Sequence, residues 1–156
     1  MRVSTSGFAA QAQGANDERQ QVLALIRPLF IAFVVGASFS LFLQWPIQYL
    51  AFVFFINPTA DVYKFASDYF FSIRIWGAPF ALMNYVIIGW LVGRSRIRIS
   101  LSLQVLMNLI NILLAIMFVK WFSWDVSGVA AATLIAEIAA FILSLCIIIK
   151  NAITII

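Results

Sequence analysis

Five polar residues interrupt apolar stretches in the second half of the chain, and their spacing places them on two helical faces. Gln104, Asn108 and Asn111 are four and three residues apart, so a helix carries them as one stripe. Thr133 and Glu137 are four residues apart and share a face for the same reason. Amide, hydroxyl and carboxylate oxygens can bind a cation, and amides can equally bond neighbouring helices. The stripe therefore indicates either a cation site or interhelical hydrogen bonding.

Glu137 is the acid of this group and lies near the middle of the apolar segment Val126–Ile149. A charged acid at the centre of a membrane costs about 2.5 kcal/mol or more. We therefore expect Glu137 to be paired, protonated or in contact with water. Proton binding and a structural pairing with a buried arginine are the two alternatives.

A second polar exception is Arg74, which stands at the start of the apolar run 75–93. Trp76 and Pro79 follow it. A long basic side chain can extend to the membrane surface, where tryptophan is also enriched. We expect these three residues to have a structural role at the interface rather than to contact a substrate.

Four apolar segments must position these side chains, and each has the roughly 20 residues that a membrane-spanning helix requires. The predicted spans are about 22–44, 71–93, 99–121 and 126–149. Before them come a segment of small residues, 1–14, and a polar loop, 15–21, in which Asn16 is the expected helix cap. Residues 151–156 form a tail.

Composition places the chain in a membrane. Hydrophobic residues make up 64% of it and charged residues 10%, with a mean hydropathy of +1.03, whereas soluble domains have about 25% charge. The absence of histidine and the single cysteine argue against a metal site and Cys–His catalysis, so we expect neither an enzyme nor a resident cofactor. The net charge of +4 is dispersed between apolar runs, which argues against nucleic acid as a partner.

Basic residues also indicate orientation. The loop 94–98 carries three arginines, whereas the loop near Asp125 is balanced in charge. The positive-inside rule places loop 94–98 in the cytoplasm of a multi-pass inner (plasma) membrane protein. Gly89 and Gly93, four residues apart, predict close helix packing within the bundle.

Four ordered blocks resemble one transporter family. They read TSGFAAQAQGANDERQ, RIWGAPFALMNYVIIGWLVG, NLINILLAIMFV and VSGVAAATLIAE. Together they are similar to the multidrug and toxic compound extrusion (MATE) transporters, and most similar to the DinF-type subfamily. The resemblance implies an all-α integral membrane fold with about four full transmembrane helices plus a partial N-terminal one. These would be part of the N-lobe of a twelve-helix transporter.

The resemblance also implies a site and an activity. Family members export cationic, amphipathic compounds in exchange for protons or sodium ions. Asn111 and Thr133 match an asparagine and a threonine of the family's cation site, and Glu137 matches an acid found in the subfamily. The family's cation site also has an aspartate one turn after the asparagine, and in this chain Ala115 occupies that position. A further acid of the family's site is on the first helix, which the resemblance places outside this chain.

Three functions follow from this resemblance. The first is a truncated N-lobe fragment of an efflux antiporter, coupled to H⁺ or Na⁺. It would act on an unidentified small molecule in the lipid bilayer and would need a C-terminal lobe or another membrane subunit. The second is an inactive remnant or small membrane interaction protein. The third, less favoured, is a lipid or polysaccharide flippase of the same superfamily.

Overall fold

The computed structural model describes residues 2–43, 45–46, 49–50, 53 and 74–153. No strand occurs among these residues. A π-helical turn, Phe39–Leu43, extends the second helix, and a 3₁₀ turn, Arg74–Gly77, leads into the third. The long α-helices among the described residues are α1 (Arg2–Gly14), α2 (Glu18–Ser38), α3 (Ala78–Gly93), α4 (Ile97–Lys120) and α5 (Asp125–Ile153).

Within the described part of the chain, four helical segments are long and apolar enough to cross a membrane: Glu18–Phe42, Ile75–Gly93, Ile97–Trp121 and Val126–Lys150. The predicted fold class, an all-α membrane protein with four full spans and a shorter N-terminal helix, is confirmed. Gln44 of the first predicted span, residues 71–73 of the second and residues 154–156 of the predicted tail lie outside the described part of the chain.

The centre of the bundle is α3, which contacts α1, α2 and α5. Over half of its most apolar stretch is buried, 56%, against 6% for α4. Its apolar side chains point in all directions, as is typical of a helix enclosed on every side. In contrast, α4 packs mainly on α5 and leaves apolar side chains exposed, which suits contact with lipid.

The N-terminal helix packs on α3 through the two glycines that the sequence singled out. A methyl group added at Gly89 would lie 2.5 Å from the carbonyl oxygen of Arg2. One added at Gly93 would overlap the carbonyl oxygen of Ser6 and lie 2.7 Å from Cβ of Ala9. Since no side chain fits at either position, α1 and α3 approach backbone to backbone, as small residues allow.

Short turns join the helices at both ends of the bundle. Between α1 and α2, Asn16 adopts a left-handed conformation with φ 53°, which asparagine tolerates better than most residues. The helix cap is therefore the next residue, Asp17, rather than the predicted Asn16. Its Oδ1 accepts a hydrogen bond from the backbone N–H of Gln20 at 3.0 Å. Ser95 and Ser123 have the same backbone conformation in the two later turns.

Polar contacts also link the first two spans, Glu18–Phe42 and Ile75–Gly93, at both ends. Buried Trp90 donates its indole N–H to the carbonyl oxygen of Gln21 at 2.8 Å. At the opposite end, the Ser40 hydroxyl donates to the carbonyl oxygen of Ile75 at 2.7 Å. In a membrane such groups have no water to bond, so these contacts satisfy them within the protein.

Candidate functional site

Asn111 and Thr133 meet across the contact between α4 and α5. The Asn111 side-chain amide donates to Oγ1 of Thr133 at 3.3 Å. The Thr133 hydroxyl in turn donates to the carbonyl oxygen of Val129, one turn earlier, at 3.0 Å. Because Asn111 uses its amide nitrogen here, its carbonyl oxygen keeps lone pairs for another ligand.

The tight connection between these two helices positions that pair. The rings of Phe118 and Trp124 stack with centroids 5.4 Å apart, one at the end of α4 and the other just before α5. Gly128 lies against both, since a methyl group added there would be 3.0 Å from Cβ of Trp124 and 3.1 Å from Cβ of Phe118. Gly128, which has no side chain, therefore allows α5 to return close along α4.

Glu137 is buried one helical turn after Thr133, with only 7% of its surface exposed. Its backbone carbonyl oxygen accepts a hydrogen bond from the side-chain amide of buried Asn84, on α3, at 2.9 Å. Helix α5 is thus tied to α4 at Thr133 and to α3 at Glu137. Asn84 was not among the predicted site residues, although a single amide in the charge-free run 75–93 is a signal that could have identified it.

The other members of the predicted stripe lie apart from this pair. Gln104 turns back along its own helix, where its amide donates to the carbonyl oxygen of Ser100 at 3.2 Å. Asn108 is exposed on the surface of α4. Ala115 is half-buried one turn after Asn111. The structure therefore brings Asn111 and Thr133 together, with Glu137 next to Thr133 along α5, and leaves Gln104 and Asn108 outside.

The three residues expected at the interface lie at the start of α3. Arg74 begins the 3₁₀ turn, and its side chain is outside the described part of the structure. Trp76 is 50% exposed, whereas Pro79 is buried. Pro79 packs on Gly36 of α2, where an added methyl group would lie 2.5 Å from its Cα. Pro79 therefore stands in the first turn of α3, where proline costs no hydrogen bond, and has a packing role.

Most basic residues between the helices lie at one end of the bundle, and the protein partly covers Arg94 among them. Its guanidinium lies 4.7 Å from the centroid of the Trp90 ring, within cation–π range. Partial burial lowers the pKa of Arg94, the charge of Arg96 lowers it further, and that of Glu18 opposes the shift. The partly covered guanidinium thus packs on the last turn of α3.

The site offers amide and hydroxyl oxygens together with one buried carboxylate. Within the described residues no group of three or more His, Cys, Asp or Glu side chains is present. Oxygen donors of this kind suit hard monovalent cations, and a carboxylate can also take up a proton. The arrangement between α3, α4 and α5 is therefore chemically suited to bind H⁺ or Na⁺.

The MatE family model matches residues 1–117 of the chain. DNA damage-inducible protein F from Escherichia coli strain K12 is 37% identical over 145 residues, which cover 93% of this chain and 31% of that protein. The chain thus spans about a third of the length of this curated relative.

Solved structures share the fold. An inward-facing and an outward-facing multidrug resistance MATE family transporter of the MOP superfamily align with TM-scores of 0.83 and 0.84. Each is 22% identical, and the alignments cover 92% of this chain and 32% and 31% of theirs. A MOP superfamily transporter from Pyrococcus furiosus aligns with a TM-score of 0.82 over 92% of this chain and 31% of its own, again at 22% identity.

Proposed function

Because this chain belongs to the multidrug and toxic compound extrusion (MATE) family, we propose that it forms part of the N-lobe of a cation-coupled efflux antiporter. The family and its DinF-type relative were expected from the residues, and both expectations are confirmed. The antiporter exports an organic cation across the inner membrane, driven by a gradient of protons or sodium ions. Completion of the transport path requires a C-terminal lobe or another membrane subunit.

The observation that carries this proposal is the hydrogen bond between Asn111 and Thr133, with buried Glu137 one turn away. A sodium ion entering here replaces this weak 3.3 Å contact with two oxygen ligands, from the Asn111 carbonyl and the Thr133 hydroxyl. Glu137 supplies the negative charge. A proton on Glu137 removes that charge, so H⁺ and Na⁺ compete for the same site.

The orientation that we propose places the α3–α4 turn in the cytoplasm. Since α4 and α5 run antiparallel, Lys150 at the end of α5 lies on the same side of the bundle as Arg96 and Arg98. Arg94 and Arg19, which lies in the first turn of α2, are on that side too, because α3 and α2 meet there through Trp90. Such an excess of basic residues favours the cytoplasmic face.

Sodium binding tests the site without requiring a second lobe. We expect the purified chain to bind radioactive sodium less as the pH falls, because protons compete at Glu137. Thr133→Val keeps the shape of the side chain and removes the oxygen, so it should weaken binding roughly tenfold, equivalent to about 1.4 kcal/mol. Asn108→Leu, on an exposed amide of the same stripe, is the control and should bind as the wild type does. Equal binding by all three proteins at every pH would contradict the proposed site.

Ala115 favours a second function. It occupies the position, one turn after Asn111, at which the family resemblance implies an aspartate. A site without that carboxylate has less negative charge to hold a cation. The alternative is a membrane interaction protein without transport activity, which packs against another subunit through the exposed surface of α4.

A further inference from the structure

A groove of about 520 Å³ runs between α1 and α2. Its walls are one face of each helix, because the lining residues recur at intervals of three and four. Phe8 of α1 and Leu23, Pro28 and Ile31 of α2 make much of it apolar. Two charged side chains also line the groove. Asp17 lies at the α1–α2 turn, and Arg27 lies further along α2.

Arg27 is a cation without a counter-ion in the part of the chain that the structure describes. It directly precedes Pro28, the first residue of a charge-free stretch that continues to Ala60. A basic residue on the apolar boundary is costly unless its charge reaches the membrane surface or meets an anion.

The depth of Arg27 follows from the contact between α2 and α3. Gln21 is level with Trp90 because the two are hydrogen-bonded, and Trp90 lies three residues from the end of α3 at Gly93. Arg27 is six residues beyond Gln21 along α2. At 1.5 Å per residue, its Cα lies roughly 13 Å along the bundle from the end of α3, inside the apolar layer.

Helix geometry favours extension of the Arg27 side chain toward the membrane surface. Side chains on a helix lean toward its N-terminus, and the N-terminus of α2 is at the α1–α2 turn. The guanidinium is therefore carried toward the polar mouth of the groove, as expected of a snorkelling arginine. A guanidinium carried in this direction comes closer to the phosphates of that leaflet.

The second charge of the groove has the opposite sign. Asp17 lies ten residues before Arg27, closer to the membrane surface. One of its carboxylate oxygens caps α2 through Gln20, and a carboxylate has further lone pairs to offer a cation. From the apolar layer outward, the groove therefore presents hydrocarbon contacts, then a cation, then an anion.

We propose that this groove binds an aminophospholipid, the class to which phosphatidylethanolamine belongs. Its phosphate contacts Arg27, its ammonium group faces Asp17, and one acyl chain lies along Pro28 and Ile31. The order of charges in the groove matches a headgroup that carries both a phosphate and an ammonium group. A headgroup without a positive charge would make no favourable electrostatic contact with Asp17. The proposal requires only that α2 crosses the membrane and is independent of cation-coupled transport.

Native mass spectrometry of the full chain in mild detergent, with defined mixtures of phosphatidylethanolamine, phosphatidylglycerol and phosphatidylcholine, tests it. We expect phosphatidylethanolamine to be retained in preference to the other two. Arg27→Gln should weaken retention of all three roughly tenfold, because a charge-assisted contact to the shared phosphate is lost. Arg19→Gln is the matched control, since Arg19 is exposed on the same helix outside the groove, and it should retain lipid normally.

Asp17→Asn isolates the headgroup preference, because asparagine caps a helix as well as aspartate does. This variant should keep its α2 helix and bind phosphatidylethanolamine and phosphatidylglycerol equally. Unchanged lipid retention by Arg27→Gln, or an unchanged headgroup preference in Asp17→Asn, overturns the proposal. So does efficient disulfide linkage of two chains through Ala24→Cys in lipid-replete membranes, because a protein would then occupy the groove.

Discussion

Replacement of Gly93 by alanine should destabilise the packing of α1 on α3. The added methyl group would overlap the carbonyl oxygen of Ser6 and lie 2.7 Å from Cβ of Ala9. Both contacts fall in the middle of α1, so fraying at its end cannot relieve them. Overpacking of this kind costs typically 1–3 kcal/mol, whereas the higher helix propensity of alanine returns about 1 kcal/mol at most. The free energy of unfolding should therefore fall by roughly 1–2 kcal/mol.

Gly7 provides the matched control on the other side of the same helix. A methyl group added there has nothing within 4 Å. Gly7→Ala should therefore stabilise α1 by about 0.5–1 kcal/mol, since alanine loses less backbone entropy on folding. Opposite effects of one chemical change at two glycines would separate helix packing from helix propensity.

Thermal unfolding in detergent micelles, followed by circular dichroism, measures both variants. For a chain of this size, 1 kcal/mol corresponds to a change in Tm of about 2–4 °C. Ala9→Gly removes one of the two overlapping partners and should restore part of the loss when combined with Gly93→Ala, because the two sites are in contact. A Gly93→Ala protein as stable as the wild type, or equal changes at Gly7 and Gly93, would refute the backbone-to-backbone approach of α1 and α3.

Two further predictions concern the other helix contacts. Trp90→Phe removes the indole N–H that donates to the carbonyl oxygen of Gln21 at 2.8 Å. It should lower the free energy of unfolding by about 1 kcal/mol in the same micelle assay. Trp76→Phe, which changes an exposed ring, is the control and should have little effect. Ala115→Asp adds a carboxylate one turn from Asn111 and should increase proton-driven or sodium-driven export of a cationic dye from energised vesicles that contain the complete transporter. Unchanged export by that variant would favour the non-transporting alternative.

The membrane fold was predictable because a lipid bilayer imposes a length and a composition on every helix that crosses it. Charge-free runs such as Ile99–Val119 satisfy both conditions and nothing else in the sequence competes with them. The cap of α2 was displaced by one residue because Asn16 and Asp17 are both good caps. Only the backbone conformation of Asn16, a property of the turn as a whole, distinguishes them.

The site was only partly predictable for a different reason. Helical spacing places Gln104, Asn108 and Asn111 on one face, but it does not say which part of that face meets α5. Among the described residues, α4 contacts the rest of the bundle mainly through α5, and Asn111 lies where its amide reaches Thr133. Gln104 instead bonds its own helix. Residue spacing therefore predicted the polar face of α4, whereas the packing of α5 determines that Asn111 is the residue of that face that contacts Thr133.

The position of α5 between α3 and α4 gives the candidate site a physical link to helix movement. Thr133 bonds α4 and the backbone of Glu137 bonds α3, and the two residues are one turn apart on the same helix. A sliding or rotation of α5 relative to α3 would therefore strain the bond from Asn84 and would move Glu137 together with Thr133. If α5 had two positions relative to α3, a cation that bound Thr133 and Glu137 more tightly in one position would shift the equilibrium toward it by the difference in binding free energy. Asn84, the amide that spacing did not identify, is thus the residue through which the central helix would respond.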